Sequence, residues 1–446
     1  MNDVARSLHV AEAIPPMLPR QAFTGPILWW TPGLPCGGVE RQIIASADEL
    51  ARRGVFPHLL CESLSPLMGY DFFLPQARRV FRAHSIHSLD PTSKILQKNM
   101  AAAAEAASVF VDLSERGRGV IASYIAFFMA MRPRLLQVWN ADWLFPPLAA
   151  VLAGIPKVIL CGRSLSPHVR YPLGIESVGD RFARQVLTFL LQYPGVTLTN
   201  NSTLGCAEYA DWLGIPKERV ILTPNALDAD VQSQTVPGAA AAFRKSLDIP
   251  EKTPIIGGLF RIVPLKDPYL WLSAATEVLQ RNPGAVAVLG GDGPLLPELR
   301  RAVSESPLAS RFRLPGVIHD VAPFYQACSV FLLTSHVEGQ ANVVLEAQFN
   351  QVPVVSTHAG GIVDVIEHGR TGFIVRERDP HILAVHVDSV LRNPEWAAKA
   401  GAAGRARVLR LFSKERSADA FLRLYWTGSI QAKNFPIPPM MKRRTV

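Results

Sequence analysis

The sequence predicts an α/β protein of two Rossmann-like domains, each a doubly wound parallel sheet, that face a central cleft. Short apolar runs alternate with helical patterns along most of the chain, which is typical of parallel strand–helix units. The alternation stops over residues 226–253, where Ala, Gln, Ser, Gly and Pro dominate, and then starts afresh. With 446 residues, of which 48% are hydrophobic, the chain can bury two large cores.

The first half opens with the strand, loop and helix of such a sheet. The apolar run 27–30 is followed by a loop with Gly37 and Gly38 and by a helical pattern that begins at Val39. Further strands are predicted at 58–61, 135–139, 158–161, 196–199 and 220–223. We place the first domain at residues 1–228 and interpret 226–253 as a linker followed by a short helix.

The second half repeats the pattern more regularly. Its strands are predicted at 255–260, 285–289, 312–314, 330–334, 352–356 and 373–375. Helical patterns occupy 269–281, 382–391, 395–411 and 413–426. We place the second domain at residues 229–412 and assign residues 413–446 to a final helix that crosses back to the first domain and a basic tail.

Charge restricts the classes of partner. Forty-six Lys and Arg against 37 Asp and Glu give a net charge of +9, but basic residues cluster only at Lys442, Arg443 and Arg444. Neither a zinc-finger spacing nor a basic stripe interleaved with aromatic residues occurs, so nucleic acid is not expected as a partner. Phosphorylated ligands and an anionic membrane surface both stay open.

Cysteine usage and hydropathy indicate the compartment. The five cysteines form no CxxC pair, so neither a disulfide framework nor a zinc site is expected, and a reducing cytoplasm fits. The N-terminal sequence does not resemble a secretory signal. The longest apolar run, 120–131, is shorter than the roughly 20 residues of a spanning helix. We expect a cytoplasmic protein that is soluble or peripheral to a membrane.

Glu338 and Glu346 form the strongest motif. They follow the predicted strand 330–334, and a helix is expected to begin near Asn342. The backbone N–H groups of residues 339–343 would then be free, and such a helix N-terminus attracts phosphate. Carboxylates beside it can hydrogen-bond sugar hydroxyls. The spacing alone equally allows two solvated glutamates that offset the helix dipole.

Two cations, Arg261 and Lys266, follow the predicted strand 255–260 around Pro264. The guanidinium of Arg can form two parallel hydrogen bonds and the ammonium of Lys adds a compact charge, so the two together can bind a diphosphate. An ordinary solvated loop can have the same pattern. The glycine turn at 290–293 is generic by itself.

Together these motifs resemble the retaining glycosyltransferases of family 4, which belong to the GT-B class and to the glycosyl transferases group 1. The resemblance covers residues 35–425 and is stronger in the second half. The matching segments are Gly37-Gly38-Val-Glu-Arg41, Asn201-Ser-Thr, residues 213–225, Arg261-Ile-Val-Pro-Leu-Lys266, Gly291-Asp-Gly-Pro294, the Glu338 and Glu346 pair, residues 352–355, Gly360-Gly361 and residues 368–372.

The resemblance implies a GT-B-like fold whose second domain binds a nucleotide-sugar donor and whose first domain binds the acceptor. As catalytic residues, Arg261 and Lys266 would neutralise the diphosphate, and Glu338 would hold the hydroxyls of the transferred sugar. Glu346 would hold the ribose. The other donor contacts would come from Gly339, Gln340, Ala341, Asn342, Gly37 and Gly38.

One position departs from the family pattern. Many members place a sugar-contacting His after the strand equivalent to 157–161, whereas this chain has Arg163. Arg163 would then contact the donor sugar or the acceptor, unless it is an ordinary surface arginine.

The Asp228-Ala-Asp230 segment has the form that metal-dependent transferases use, but it lies in the linker and not at the end of a buried strand. Because Arg261 and Lys266 already supply positive charge, we expect neither a bound metal nor another cofactor.

The sequence therefore favours a metal-independent, retaining hexosyltransferase that acts on a glycan or lipid-linked acceptor, as in cell-surface polysaccharide synthesis. The net charge is compatible with a peripheral contact at the cytoplasmic membrane face. Two alternatives stay open: a nucleotide-sugar epimerase of the same fold and a binding protein that has lost catalysis. The Glu338 and Glu346 pair argues against the first, and the intact Arg261 and Lys266 argue against the second.

Overall fold

The computed structural model describes residues 25–35, 37–65, 71–85, 94–108, 113–170, 177–233 and 236–427. The chain divides into two compact units. The first runs to Pro224 and includes the end of the last helix from Ser417, and the second runs from Asn225 to Arg416. The predicted basic tail with Lys442, Arg443 and Arg444 lies outside the described residues.

The first unit contains a seven-stranded parallel sheet with helices on both faces. Its strands are β1 (Ile27–Thr31), β2 (His58–Cys61), β3 (Arg82–Ser85), β4 (Leu135–Val138), β5 (Val158–Gly162), β6 (Val196–Asn200) and β7 (Val220–Leu222). Its helices are α1 (Gly38–Arg52), α2 (Leu74–Val80), α3 (Lys94–Ala107), α4 (Glu115–Met131), α5 (Phe145–Leu152), α6 (Pro167–Arg170), α7 (Val178–Leu190) and α8 (Thr203–Leu213). The strand order β3-β2-β1-β4-β5-β6-β7 reverses direction at β1 and β4, as a doubly wound sheet does.

The second unit contains a six-stranded parallel sheet in the order β10-β9-β8-β11-β12-β13, which reverses between β8 and β11. These strands are β8 (Ile255–Leu259), β9 (Val286–Gly290), β10 (Phe312–Gly316), β11 (Val330–Leu333), β12 (Val354–Thr357) and β13 (Gly372–Val375). The remaining helices are α9 (Ala229–Ser233), α10 (Ala239–Ser246), α11 (Pro268–Arg281), α12 (Leu296–Ser304), α13 (Val321–Ala327), α14 (Asn342–Phe349), α15 (Ile362–Val365), α16 (Pro380–Arg392), α17 (Pro394–Leu411) and α18 (Lys414–Thr427).

The predicted fold class of two doubly wound parallel sheets is confirmed, and every predicted strand lies within two residues of its observed bounds. Two observed elements differ from the prediction. Strand β3 was not predicted, because its sequence Arg-Ala-His-Ser has no apolar run; it lies at the sheet edge, where one side needs no burial. The predicted linker 226–253 also holds two short helices, α9 and α10, rather than one.

Adjacent tryptophans in β1 anchor helices on both faces of the first sheet. Because side chains alternate along a strand, Trp29 and Trp30 point to opposite faces. The Trp30 indole donates to the Tyr124 hydroxyl of α4 at 3.1 Å, and the Trp29 indole donates to the Tyr425 hydroxyl of α18 at 3.0 Å. The Tyr425 hydroxyl in turn donates to Gln137 Oε1 in β4 at 2.6 Å.

The end of α18 is held on the first unit by its backbone as well. Lys157 Nζ donates to the carbonyl oxygens of Leu424 at 2.8 Å and Tyr425 at 2.9 Å. These carbonyls lie in the last turn of the helix, where a cation also complements the helix dipole. Earlier in the helix, Asp419 pairs with Arg53 of the loop after α1 at 2.5 Å.

We expect Tyr425→Phe to lower the free energy of unfolding by about 1–3 kcal/mol. The change removes the hydroxyl between Trp29 and Gln137 and leaves two buried polar atoms without a partner. Thermal and urea unfolding of the full chain measure the effect. Tyr269→Phe is the control, because the Tyr269 hydroxyl bonds Glu298 at an exposed site. This variant should lower the free energy of unfolding by less than about 0.5 kcal/mol. Equal unfolding midpoints for the two variants would contradict this account.

Candidate active site

Three charged candidate residues of the second unit lie in loops at the point where the strand order reverses. β8 and β11 are neighbours in the sheet, and because they are parallel their carboxyl ends meet at one edge. The loop after β8 carries Arg261 and Lys266, and the loop after β11 carries Glu338. In open α/β sheets this edge is where ligands bind.

Lys266 and Glu338 are ion-paired. Lys266 Nζ lies 2.5 Å from Glu338 Oε1, and the Ser335 hydroxyl donates to the same oxygen at 2.6 Å. Both side chains are mostly buried, so the interpretation of Glu338 as a solvated surface residue is wrong. Glu338 Oε2 has no hydrogen-bond partner among the described residues, which leaves it able to accept from a ligand hydroxyl.

A second network fixes the two loops against each other. The Thr334 hydroxyl donates to the carbonyl oxygens of Lys266 at 3.1 Å and Asp267 at 3.0 Å. The Arg378 guanidinium donates to Asp267 Oδ2 at 2.6 Å and to the carbonyl oxygens of Thr334 at 2.8 Å and Ser335 at 3.0 Å. The loop after β8 and the start of the loop after β11 are therefore joined to each other and to Arg378.

His336 lies in this network beside Asp267. Its Nε2 is 3.4 Å from Asp267 Oδ2. Burial lowers the pKa of His336, Arg378 lowers it further, and Asp267 opposes the shift only in part. Its backbone N–H donates to the Leu265 carbonyl at 2.9 Å, so His336 also connects the two loops.

Glu346 lies inside α14 and is 3% exposed. Its Oε2 accepts a hydrogen bond from the Tyr325 hydroxyl of α13 at 2.8 Å. The second predicted glutamate is thus not solvated either. Its carboxylate is fixed by a buried tyrosine, which predicts a defined direction for any further bond that it accepts.

The segment before α14 presents backbone donors. The helix begins at Asn342, as the sequence predicts, and Ala341 at the N-cap supplies no capping side chain. In the described part of the chain, the N–H groups of Gly339, Gln340, Ala341 and Val343 have no acceptor. Together with the helix dipole, these groups favour an anion or a polar oxygen.

The side chains of this segment are partly engaged within the unit. Gln340 Oε1 accepts from the Asn225 backbone N–H at 2.5 Å, and Asn342 Oδ1 accepts from Asn225 Nδ2 at 2.8 Å. Of the residues predicted to contact the donor, Gln340 and Asn342 therefore have structural partners.

Arg261 follows β8 and is exposed. Its guanidinium has no hydrogen bond or ion pair within the part of the chain that the structure describes. The glycine turn after β9 packs against the same loop: Gly291 and Gly293 have φ values of 126° and 158°, and a Cβ at either position would overlap the carbonyl of Phe260 or Ile262. These glycines permit the close approach that fixes the backbone beside Arg261.

In the first unit, Gly37 and Gly38 begin α1. Gly37 is the N-cap in an extended conformation without a capping side chain. A Cβ at residue 37 would meet the carboxylate of Glu40, which is buried in the first helical turn. Gly37 thus leaves room for an acidic side chain at a helix N-terminus, where the dipole stabilises it.

Arg163 follows β5 and is not a surface arginine. Its guanidinium lies over the Trp139 ring, 4.3 Å from the ring centroid. Burial lowers its pKa, and the neighbouring Cys161 and Tyr425 oppose that shift. The stacking gives Arg163 a packing role at this strand end, and its predicted contact with sugar or acceptor stays a prediction.

Asp228 and Asp230 hold a lysine. Lys414 is 3% exposed, and its Nζ lies 3.1 Å from Asp228 Oδ1 and 2.7 Å from Asp230 Oδ2. The Asp-x-Asp segment therefore neutralises a buried cation at the start of α18.

Sequence reasoning did not single out Ser335, Tyr325, Asn225 or Arg378. Asn225 ends the segment 213–225 that carries part of the family resemblance, and Ser335 lies three residues before Glu338, so the position of each was a usable signal. Tyr325 and Arg378 have no comparable signal, because each reaches the site from an element distant in the chain.

A profile of the family described as Glycosyl transferases group 1 matches residues 240–407. The Vi polysaccharide biosynthesis protein VipC/TviE of Salmonella typhi is 29% identical over 409 residues, which are 87% of this chain and 68% of that protein. Over residues 240–407 the chain therefore belongs to the glycosyl transferases group 1 family. It is a glycosyltransferase.

Two further comparisons agree. A D-inositol 3-phosphate glycosyltransferase of Frankia alni is 36% identical over 203 residues, which span 42% of this chain and about half, 49%, of that protein. The structure of HepE from Anabaena in complex with UDP and glucose superposes with a TM-score of 0.71 at 18% identity, over 90% of this chain and 98% of that one. At this identity the likeness establishes the GT-B fold. Among the described helices, none is long and apolar enough to span a bilayer.

We expect Glu338→Gln to lower kcat by about 10²-fold or more, as is typical for the loss of one electrostatic contact in a transition state. The variant keeps the shape of the side chain and can still bond Ser335. Single-turnover rates at saturating donor measure the effect.

The matched comparison is a double-mutant cycle with Lys266→Met. Because Lys266 contacts Glu338 Oε1, the double variant should lose less than the product of the two single losses. Lys399→Met is the control, since it removes an exposed ion pair with Glu395 on α17 and should leave the rate unchanged. A wild-type rate for Glu338→Gln would show that the site is misassigned.

Proposed function

We propose that the protein transfers a hexose, with retention of anomeric configuration and without a metal, from a nucleotide-sugar to a glycan or lipid-linked acceptor during polysaccharide synthesis. The observation that carries the proposal is the arrangement of polar groups at the carboxyl ends of β8 and β11. There, backbone N–H groups that have no acceptor among the described residues follow directly after Glu338, which is ion-paired with Lys266. The name of the Salmonella relative and the UDP and glucose of the Anabaena structure support the substrate classes.

In this proposal the diphosphate lies near Arg261 and Lys266. The Arg261 guanidinium, which has no partner in the described residues, forms a forked contact with phosphate oxygens, and Lys266 adds a point charge. The N–H groups of Gly339, Gln340 and Ala341 complete the anion contacts. Positive charge from protein groups replaces the divalent ion that other transferases use.

The transferred sugar lies against Glu338, and the ribose lies against Glu346. Glu338 Oε2 accepts from a sugar hydroxyl while Oε1 stays bonded to Lys266 and Ser335. The bond from the anomeric carbon to the phosphate oxygen breaks as the acceptor oxygen attacks from the same face. Because the acceptor attacks from the same face, no side-chain nucleophile is needed. Because the acceptor proton passes to the leaving phosphate oxygen, no side-chain base is needed either.

We expect turnover with one member of a panel of UDP-, GDP- and ADP-sugars in the presence of excess EDTA. The assay follows nucleotide release with and without glycan acceptors, and NMR of the product reports the anomeric configuration. Release that EDTA abolishes and Mn²⁺ or Mg²⁺ restores would contradict metal independence. Conversion of the free nucleotide-sugar without an acceptor would identify an epimerase instead, and binding without turnover would identify a protein that has lost catalysis.

The proposal includes a peripheral contact with an anionic membrane, because the net charge is +9. We expect sedimentation with anionic vesicles at low salt and release as added salt screens the charges. Neutral vesicles serve as the control. Binding that resists high salt but yields to detergent would contradict an electrostatic contact.

A further inference from the structure

We propose that Asn225 is a positioning residue of the donor site, which it fixes through Gln340 and Asn342. The inference rests on the proposed function for the identity of the ligand, and it goes beyond that function in assigning how the binding loop is held. Asn225 is the first residue of the second unit, and its contacts described here all lie within that unit.

Asn225 directs its donors to one short segment. Its backbone N–H donates to Gln340 Oε1 at 2.5 Å, and its Nδ2 donates to the Gln340 carbonyl at 2.9 Å and to Asn342 Oδ1 at 2.8 Å. Asn225 is 4% exposed and Gln340 is 5% exposed. Buried hydrogen bonds of this kind are costly to break, because water does not replace them.

The bond to the Gln340 carbonyl determines where a donor of the site points. In a trans peptide, the C=O of one residue and the N–H of the next point in opposite directions. Because Asn225 holds the Gln340 carbonyl, the Ala341 N–H is turned away from Asn225. That N–H is one of the groups without an acceptor in the described residues.

The same contact orients the Gln340 carboxamide. Oε1 faces the Asn225 N–H, so Nε2 is left as the donor on the other side. Gln340 Nε2 is buried and has no acceptor among the described residues. A buried donor without an acceptor is unfavourable unless a ligand supplies one. We infer that an oxygen of the nucleotide-sugar accepts from Gln340 Nε2.

Two variants test the assignment with little change in volume. Asn225→Asp replaces the Nδ2 donor by an oxygen that faces the Gln340 carbonyl and Asn342 Oδ1, so the segment loses its anchor. Gln340→Glu keeps an oxygen for the Asn225 N–H but replaces Nε2 by a carboxylate oxygen, which repels a diphosphate. We expect each to raise the KM and Kd of the donor by about tenfold or more, the size of a lost charge-assisted bond. Changes in kcat should be smaller.

Thr371→Val is the matched control. The buried Thr371 hydroxyl accepts from Gln348 Nε2 of the same helix α14 at 2.9 Å and from the Glu367 N–H at 3.0 Å, away from the binding segment. It should lower the melting temperature to a similar extent while leaving donor KM near the wild-type value. A merely structural role for Asn225 would make Asn225→Asp behave like this control.

Hydrogen exchange of the free protein gives a readout that needs no ligand. Asn225→Asp should speed exchange in peptides covering residues 338–343, and Thr371→Val should not. Unchanged exchange and unchanged donor KM in Asn225→Asp would overturn the proposal, and so would a wild-type donor KM in Gln340→Glu. If the wild type bound no nucleotide-sugar, the proposed function would fail, and the exchange result would still decide whether Asn225 fixes the segment.

Discussion

The ion pair between Lys266 and Glu338 is the interaction around which the second unit organises its site. The two residues follow neighbouring parallel strands, so the sheet delivers them to one edge, but the sheet alone leaves two loops free to separate. The pair at 2.5 Å and the Arg378 and Thr334 contacts join those loops. Because breaking a mostly buried ion pair leaves an uncompensated charge, the loops are constrained to move together.

This pairing also changes the charge available to a ligand. Of the two cations that the sequence suggests for a diphosphate, Lys266 is already neutralised by Glu338, and Arg261 alone is exposed without a partner in the described residues. The remaining attraction for an anion therefore comes from the backbone N–H groups before α14 and from the helix dipole. Backbone donors do not rearrange when charge develops, so their position must be set in advance by groups such as Asn225.

The fold and the elements that carry the candidate site residues could be predicted from the sequence, whereas the partners of those residues could not. Periodicity reveals buried strands, so β8 and β11 were predicted, but the edge strand β3 has no apolar signal. The start of α14 and the positions of the two glutamates relative to it were also predicted from the sequence. That Glu346 bonds Tyr325, that Arg163 stacks on Trp139 and that Asp228 and Asp230 hold Lys414 are consequences of packing between elements distant in the chain. Local sequence does not contain that information.

In the proposed reaction, Lys266 acts both on the carboxylate beside the sugar and on the leaving phosphate. While Lys266 is bonded to Glu338 Oε1, the carboxylate is held in one orientation, and its other oxygen has no partner among the described residues and would accept from a sugar hydroxyl. As the bond to the leaving phosphate breaks, negative charge grows on the phosphate and competes with Glu338 for the same ammonium group. Any shift of Lys266 toward the phosphate increases the effective negative charge on Glu338 just when the sugar becomes positive. In the proposed reaction, one cation placed between the two anions would therefore stabilise both ends of the breaking bond without a metal ion.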